Sequence, residues 1–164
     1  MQEVAEERSL QEDKFVDILV KNEFVTMATR LACSEEKPCP RDTCNQLLAF
    51  LLVLSEKSKQ MCQKMAFSDN LLDFLLHLSA TQGPEAFLCS EILANLVPAC
   101  SSTDLRSKFA INLQGIARLA EAVTALPISS DENLEHSQNM LDVLCVLVLD
   151  SRENCDIFLE AQGY

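Results

Sequence analysis

The residues best suited to chemistry are eight cysteines, at positions 33, 39, 44, 62, 89, 100, 145 and 155, and two histidines, His77 and His136. Thiolate and imidazole together could bind zinc or make a Cys–His nucleophile. Thiols alone could form disulfides or sense oxidants. The spacing argues against the first two chemistries. Zinc sites draw on closely spaced ligand pairs, yet no Cys-x-x-Cys occurs. The densest grouping, Cys33, Cys39 and Cys44, is spaced by six and five residues with Pro38 and Pro40 between. His77 lies in Leu75-Leu76-His77-Leu78 and reads as a helix-edge histidine; His136 follows Asn133-Leu134-Glu135 near a helix start and reads as solvated.

A secreted chain with this many cysteines would carry a disulfide framework. Here the N-terminus, Met1-Gln2-Glu3-Val4-Ala5-Glu6-Glu7-Arg8, is acidic and lacks the apolar core of a signal peptide. Cys62, Cys89 and Cys145 fall inside apolar helical patterns, where free cysteine behaves as a small hydrophobe. The thiols therefore read as buried or incidental, with a redox-sensing thiol in the Cys39 loop as the other reading. Carboxylate pairs such as Glu35/Glu36 and Asp131/Glu132 sit in polar loops and read as hydrated charge. No P-loop, dinucleotide fingerprint, nucleophile elbow or zincin motif occurs. The expectation is no metal, no cofactor and no enzymatic activity.

The elements that hold these side chains are read from composition first. Three glycines in 164 residues are too few for the tight turns of a many-stranded fold, and helix formers dominate, so the chain is expected to be all-α. With 25 acidic against 13 basic residues the formal charge is -12, which argues against binding nucleic acid or an anionic membrane surface. The longest apolar runs, Leu47–Leu54 and Val143–Leu149, are far shorter than the roughly 20 residues that span a bilayer. A cytoplasmic location is the expectation.

A repeat organises the sequence. Each unit has a short helix, a turn, an apolar helix, a Pro-bearing polar loop and a strongly apolar third helix. Taking Glu23, Asn70, Gly115 and Gly163 as equivalent turn positions, with Asn70 and Gly115 suited to left-handed or cap geometry, gives spacings of 47, 45 and 48. This predicts an acidic lead-in at 1–9, repeats at 10–56, 57–102 and 103–151, and the start of a fourth at 152–164. Ser68 and Asp69 read as caps ahead of Leu71, and Ser129-Ser130-Asp131-Glu132 has capping-box spacing. The third helices are apolar almost all round, which predicts burial by neighbouring repeats on two sides.

A period of 45 to 48 with three helices per unit resembles the armadillo and HEAT class of α-solenoids, and the armadillo form fits better. Ser151-Arg152-Glu153-Asn154-Cys155-Asp156-Ile157-Phe158-Leu159-Glu160-Ala161-Gln162-Gly163 looks like the family's Asn, charged residues, apolar pair and Glu-Ala-x-Gly. Leu93-Ala94-Asn95-Leu96 resembles its Leu-x-Asn-Leu stretch. The resemblance implies a right-handed superhelix whose third helices line a groove for extended peptides or partner proteins. Members that read basic import peptides carry a ladder of Asn and Trp there. This chain has no Trp, and by alignment Phe50 in the first repeat and Val146 or a neighbour in the third stand where Asn95 stands in the second.

The function expected is a protein-binding scaffold, with Gln46, Phe50, Glu91, Asn95, Asn139 and Asp142 on the groove face. An acidic, weakly aromatic groove favours a basic or polar partner; the plain alternative is that Phe50 is core and the acids are a solvated face. From another class, the chain resembles the armadillo segments fused behind tetratricopeptide modules in myosin co-chaperones and axonemal dynein assembly factors. Because a fourth repeat breaks off at Tyr164, the sequence also reads as a window from a longer solenoid, whose apolar end could pair with a second copy.

Overall fold

The computed structural model describes residues 14–21, 23–34, 39–99, 107–109, 114–126, 130–149 and 151–161, and among them there is no strand. Helix α1 covers 14–21. It is followed by α2 (Phe24–Ala32), α3 (Arg41–Lys57), α4 (Lys59–Ala66), α5 (Asp69–Ser79), α6 (Pro84–Ala99), α7 (Gly115–Ala125), α8 (Asp131–Leu149) and α9 (Arg152–Ala161). A short helical segment at 107–109 precedes α7. The fold is an all-α solenoid. Second helices α2, α5 and α7 stack in one row and third helices α3, α6 and α8 in another, with α4 wedged against α3, α5 and α6 and α9 against α7 and α8.

Helix α6 shows why the rows form. Ala86, Cys89, Ser90, Ile92, Leu93, Leu96 and Val97 are all buried, which leaves only a narrow stripe for solvent. A helix this apolar must be covered on more than one side, and α3, α4, α5 and α8 together cover it. Leu48, Leu51 and Leu54 approach from α3, Leu71, Leu72, Leu75 and Leu76 from α5, and Met140, Val143, Leu144 and Leu147 from α8. Each leucine buried this fully contributes about 1.5–3 kcal/mol of transfer free energy.

Two turn assignments change. Among the described non-glycine residues the left-handed ones are Glu23 (φ 52°) and Gln114 (φ 51°), each the N-cap immediately ahead of the helix it leads into. Asn70 is already helical, the second residue of α5, and Gly115 is the first residue of α7. Gly115 is needed for close approach instead: a Cβ there would lie 2.5 Å from the Phe109 ring and 2.7 Å from the Phe109 carbonyl oxygen. Gly163 lies outside the described residues. Ser68 is the N-cap of α5 but makes no side-chain cap; its hydroxyl meets Thr29 Oγ1 at 3.3 Å, and Thr29 already donates to the Val25 carbonyl. At α8 the cap is Ser130, whose Oγ accepts from the Asn133 amide at 3.2 Å, while Ser129 lies outside the described residues.

The two third-to-first helix junctions among the described residues share one construction that the pattern of apolar residues does not reveal. Ser58 Oγ accepts from the Met61 amide, and Cys62 Sγ donates to the Ser55 carbonyl. Ser151 Oγ accepts from the Asn154 amide, and Asn154 Nδ2 donates to the Leu147 carbonyl at 2.7 Å. In both cases a side chain on the new helix reaches back seven residues and satisfies a carbonyl near the end of the old one. Cys62 and Asn154 thus do the same work with different atoms.

His136 is not solvated. It is buried, with Nε2 3.0 Å from the Ser79 carbonyl. That oxygen belongs to the last residue of α5, where helical carbonyls lack intrahelical partners, so a neutral imidazole donating through Nε2 satisfies it.

Two stability effects follow. Gly115→Ala would gain about 1 kcal/mol of helix propensity yet must displace Phe109 and its carbonyl, so urea denaturation should show a net loss of about 1–3 kcal/mol. Burial holds the His136 imidazole below its ordinary value. The unfolded chain therefore binds this proton more readily, and stability is full above the unfolded imidazole range and falls with pH through the lower folded value. Thermal melts at stepped pH should show that loss in the native chain and a shallower one in His136→Asn; identical slopes would exclude the linkage.

Candidate protein-binding face

The third helices each leave one stripe for solvent, and the stripes are adjacent because the helices are. On α6 the stripe runs through Phe87, Leu88, Glu91, Ala94, Asn95 and Pro98. Gln46 on α3 and Asp142 on α8 are exposed, whereas Glu91, Asn95 and Asn139 are half-buried. Phe50 departs from this set. Its ring meets Phe24 of α2 edge-on, with centroids 5.3 Å apart, so it joins the packing between the second and third helices. Its alignment with Asn95 suggested otherwise; the aromatic partner on α2 decides it.

Asn95 and Asn139 hold neighbouring third helices together. Asn95 Nδ2 donates to Ser55 Oγ at 3.0 Å, and Ser55 Oγ donates to the Leu52 carbonyl at 2.7 Å. One repeat on, Asn139 Nδ2 reaches Ser90 Oγ at 3.4 Å, and Ser90 Oγ donates to the Phe87 carbonyl at 2.8 Å. Amide to hydroxyl to carbonyl is a chain in which each bond polarises the next. It crosses from α6 to α3 and again from α8 to α6. Ser55 and Ser90 carry no motif, and only the stacking shows their part in it.

The electrostatics of the face are predominantly acidic, with Lys57 at the end of α3 as a basic exception. Helices α6 and α8 contain no Lys or Arg. Burial pushes the Glu91 carboxyl up, and Glu135 of α8 and Glu56 of α3 push it further. Three carboxylates from three successive third helices therefore repel across the face. Glu56 and Glu135 escaped the sequence reading; the separation of Glu91 and Glu135, close to the repeat period, was the available signal. Lys57 ends α3 beside Glu56, and three further basic side chains near these rows pair with acids. Arg41 pairs with Glu85, and its guanidinium holds that carboxyl down to about 2. Arg118 Nη1 lies 2.6 Å from Asp73 Oδ1, and Lys108 pairs with Asp69. Val53 and Leu141 add exposed aliphatic surface on α3 and α8. At one end, Phe87, Leu88, Leu126, Asn133 and His136 line a cavity of about 260 Å³.

The thiols divide by position. Cys62 and Cys89 are buried, and burial pushes the Cys89 thiol up; Cys145 is exposed, and Cys33, Cys39, Cys44 and Cys155 are half-buried. Cys100 lies outside the described residues. Among the described residues no group of three or more His, Cys, Asp or Glu is arranged to hold a metal ion, and no helix is long and apolar enough to cross a membrane.

The model of a family described as "Catenin-beta-like, Arm-motif containing nuclear" matches this chain over residues 1–164. The chain belongs to that family. No curated protein and no solved structure gives a significant match. Membership bears out the armadillo resemblance and makes the catenin-beta-like chain a helical repeat protein of a protein-interaction class. It also corrects the cytoplasmic expectation, because the family is described as nuclear. Reduced thiols are common to nucleus and cytosol and do not separate the two places.

For the catenin-beta-like face, the raised Glu91 carboxyl has a definite sign. A folded value above the unfolded one stabilises the protein below the unfolded carboxylate range, and that stability is lost as pH rises through the folded value. Glu91→Gln should therefore melt higher than the native chain at pH 7 and lose that advantage at pH 4. An advantage that persists unchanged at pH 4 would show that repulsion is not its source.

Proposed function

We propose that the solvent-facing stripe of α3, α6 and α8 binds a basic segment of a protein partner. The observation that carries this is the convergence of Glu56, Glu91 and Glu135 from three successive third helices with no Lys or Arg on α6 or α8. Like charges held together cost folding stability, and a cationic ligand relieves that cost on binding. Gln46 and Asp142 extend the stripe outward, while Asn95 and Asn139 sit half-exposed beside the carboxylates and keep the helices in register. Val53 and Leu141 supply apolar contact between the charges. Recognition rests on charge and aliphatic surface, because the chain lacks the Trp of an Asn–Trp ladder. The partner is thus a flexible segment mixing Lys or Arg with aliphatic residues, and the role is binding without catalysis. Nothing in the described residues favours a co-chaperone or assembly-factor role over this one.

A fluorescent Lys/Arg-rich peptide with an aliphatic centre, titrated with the chain and read by anisotropy, tests the reading. Reversal of Glu91 and Asp142 to Lys should weaken binding about tenfold or more, a loss of about 1.4 kcal/mol, and flatten its salt dependence. Asp17→Lys, on the exposed side of α1, makes the same kind of charge change away from the face and should leave affinity close to native. Equal affinities in all three proteins would remove the face from the binding site.

A further inference from the structure

We propose that Cys39 and Cys44 are a reversible dithiol–disulfide pair at the N-terminal end of α3, closed by hydrogen peroxide and reopened by a thiol reductant such as glutathione. The inference stands apart from the acidic face and concerns a different side of the chain.

The placement follows from how α3 begins. Pro40 is its N-cap, so Arg41 is the first helical residue, Cys39 precedes the cap and Cys44 is the fourth helical residue. The Cys44 amide closes the first turn on the Pro40 carbonyl at 2.9 Å. These are the two positions whose side chains pack together as the staple at a helix start. Here a thiol occupies both. Cys39 and Cys44 line one recess of about 460 Å³, with Arg41 and Glu85 on its wall, and it is open enough to admit peroxide. Both side chains are half-buried, so both are reachable.

The other nearby thiols have different surroundings. Cys33 ends α2 and turns its Sγ to the Asn70 carbonyl at 3.6 Å. Cys89 is fully buried on α6. Burial pushes the Cys44 thiol up. Taking Cys39, which lies outside the helix, as the first nucleophile, its thiolate takes one peroxide oxygen, the O–O bond breaks, and the departing hydroxide takes up the proton the Cys39 thiol released and leaves as water. Cys44, losing its proton, then attacks the Cys39 sulfenic sulfur; the S–S bond forms, the S–O bond breaks, and a second water leaves. Two thiols are oxidised and one peroxide is reduced to two waters. Glutathione reverses the step by thiol–disulfide exchange. In reducing compartments such bonds are transient and sensing rather than structural. The bridge would lock the first turn of α3 beside Arg41, which reaches across to Glu85 of α6.

The test treats the native chain with stoichiometric peroxide, blocks residual thiols with an alkylating agent and maps peptides without reduction. Cleavage after Arg41 leaves Cys33 and Cys39 on one peptide and Cys44 on the next. The expected result is a linked pair lighter by two hydrogens, with fragment ions placing the bond at Cys39. It should persist in Cys33→Ser, vanish in Cys39→Ser and disappear from the native chain on adding glutathione. Fragment ions locate the bond in the native chain itself, so a poorly folding variant does not decide the outcome. A bond at Cys33, a bond between chains on a non-reducing gel, or no bond would each overturn the proposal.

Discussion

Burial of α6 between its neighbours is the constraint on which the rest depends. A sixteen-residue helix with apolar side chains on nearly every face cannot be stable at the edge of a structure. Covering it with α3 on one side and α8 on the other fixes the row of third helices. The inner side of the same helix calls for α4 and α5. The alternation of large aliphatic side chains across these contacts then sets the register. The relays from Asn95 through Ser55 and from Asn139 through Ser90 mark that register in polar atoms: a shift of one turn would leave each half-buried amide without its hydroxyl.

The charge distribution follows from the same stacking. Arg41, Lys108 and Arg118 each pair with an acid on a neighbouring helix, Glu85, Asp69 and Asp73. Exposed pairs of this kind contribute little stability. Their consequence is positional: they tie these three cations to acids on neighbouring helices, and α6 and α8 carry no basic side chain of their own. Glu56, Glu91 and Glu135 are left to face one another. A fold held by aliphatic burial can tolerate that repulsion, and a surface that stores it gains most from a cationic partner.

The thiols show how one residue type takes different roles in one helical array. Cys62 replaces an amide in a junction bond, Cys89 fills the core, and Cys39 and Cys44 occupy a helix-start staple. In each case helical position and burial, more than the cysteine itself, set the chemistry open to the sulfur. The same holds for the two histidines. His77 stays at the helix edge, exposed, while His136 is drawn inward by an unsatisfied carbonyl at the end of α5.

By itself the sequence determined the helical class and the apolar third helices, because aliphatic periodicity and scarce glycine are local properties that need no partner to be read. The stretch from Ser151 and the Leu93-Ala94-Asn95-Leu96 segment carried the family. Only the tertiary structure decided which half-buried side chains face solvent. Phe50 turned inward because Phe24 lies on α2, and His136 was buried because Ser79 ends α5 beside it. Gly115 was required by a ring six residues earlier. The grouping of Glu56 and Glu135 with Glu91 was hidden for the same reason. Each of these contacts joins residues on different elements, and periodicity along one helix says which way a side chain points but not what it meets there.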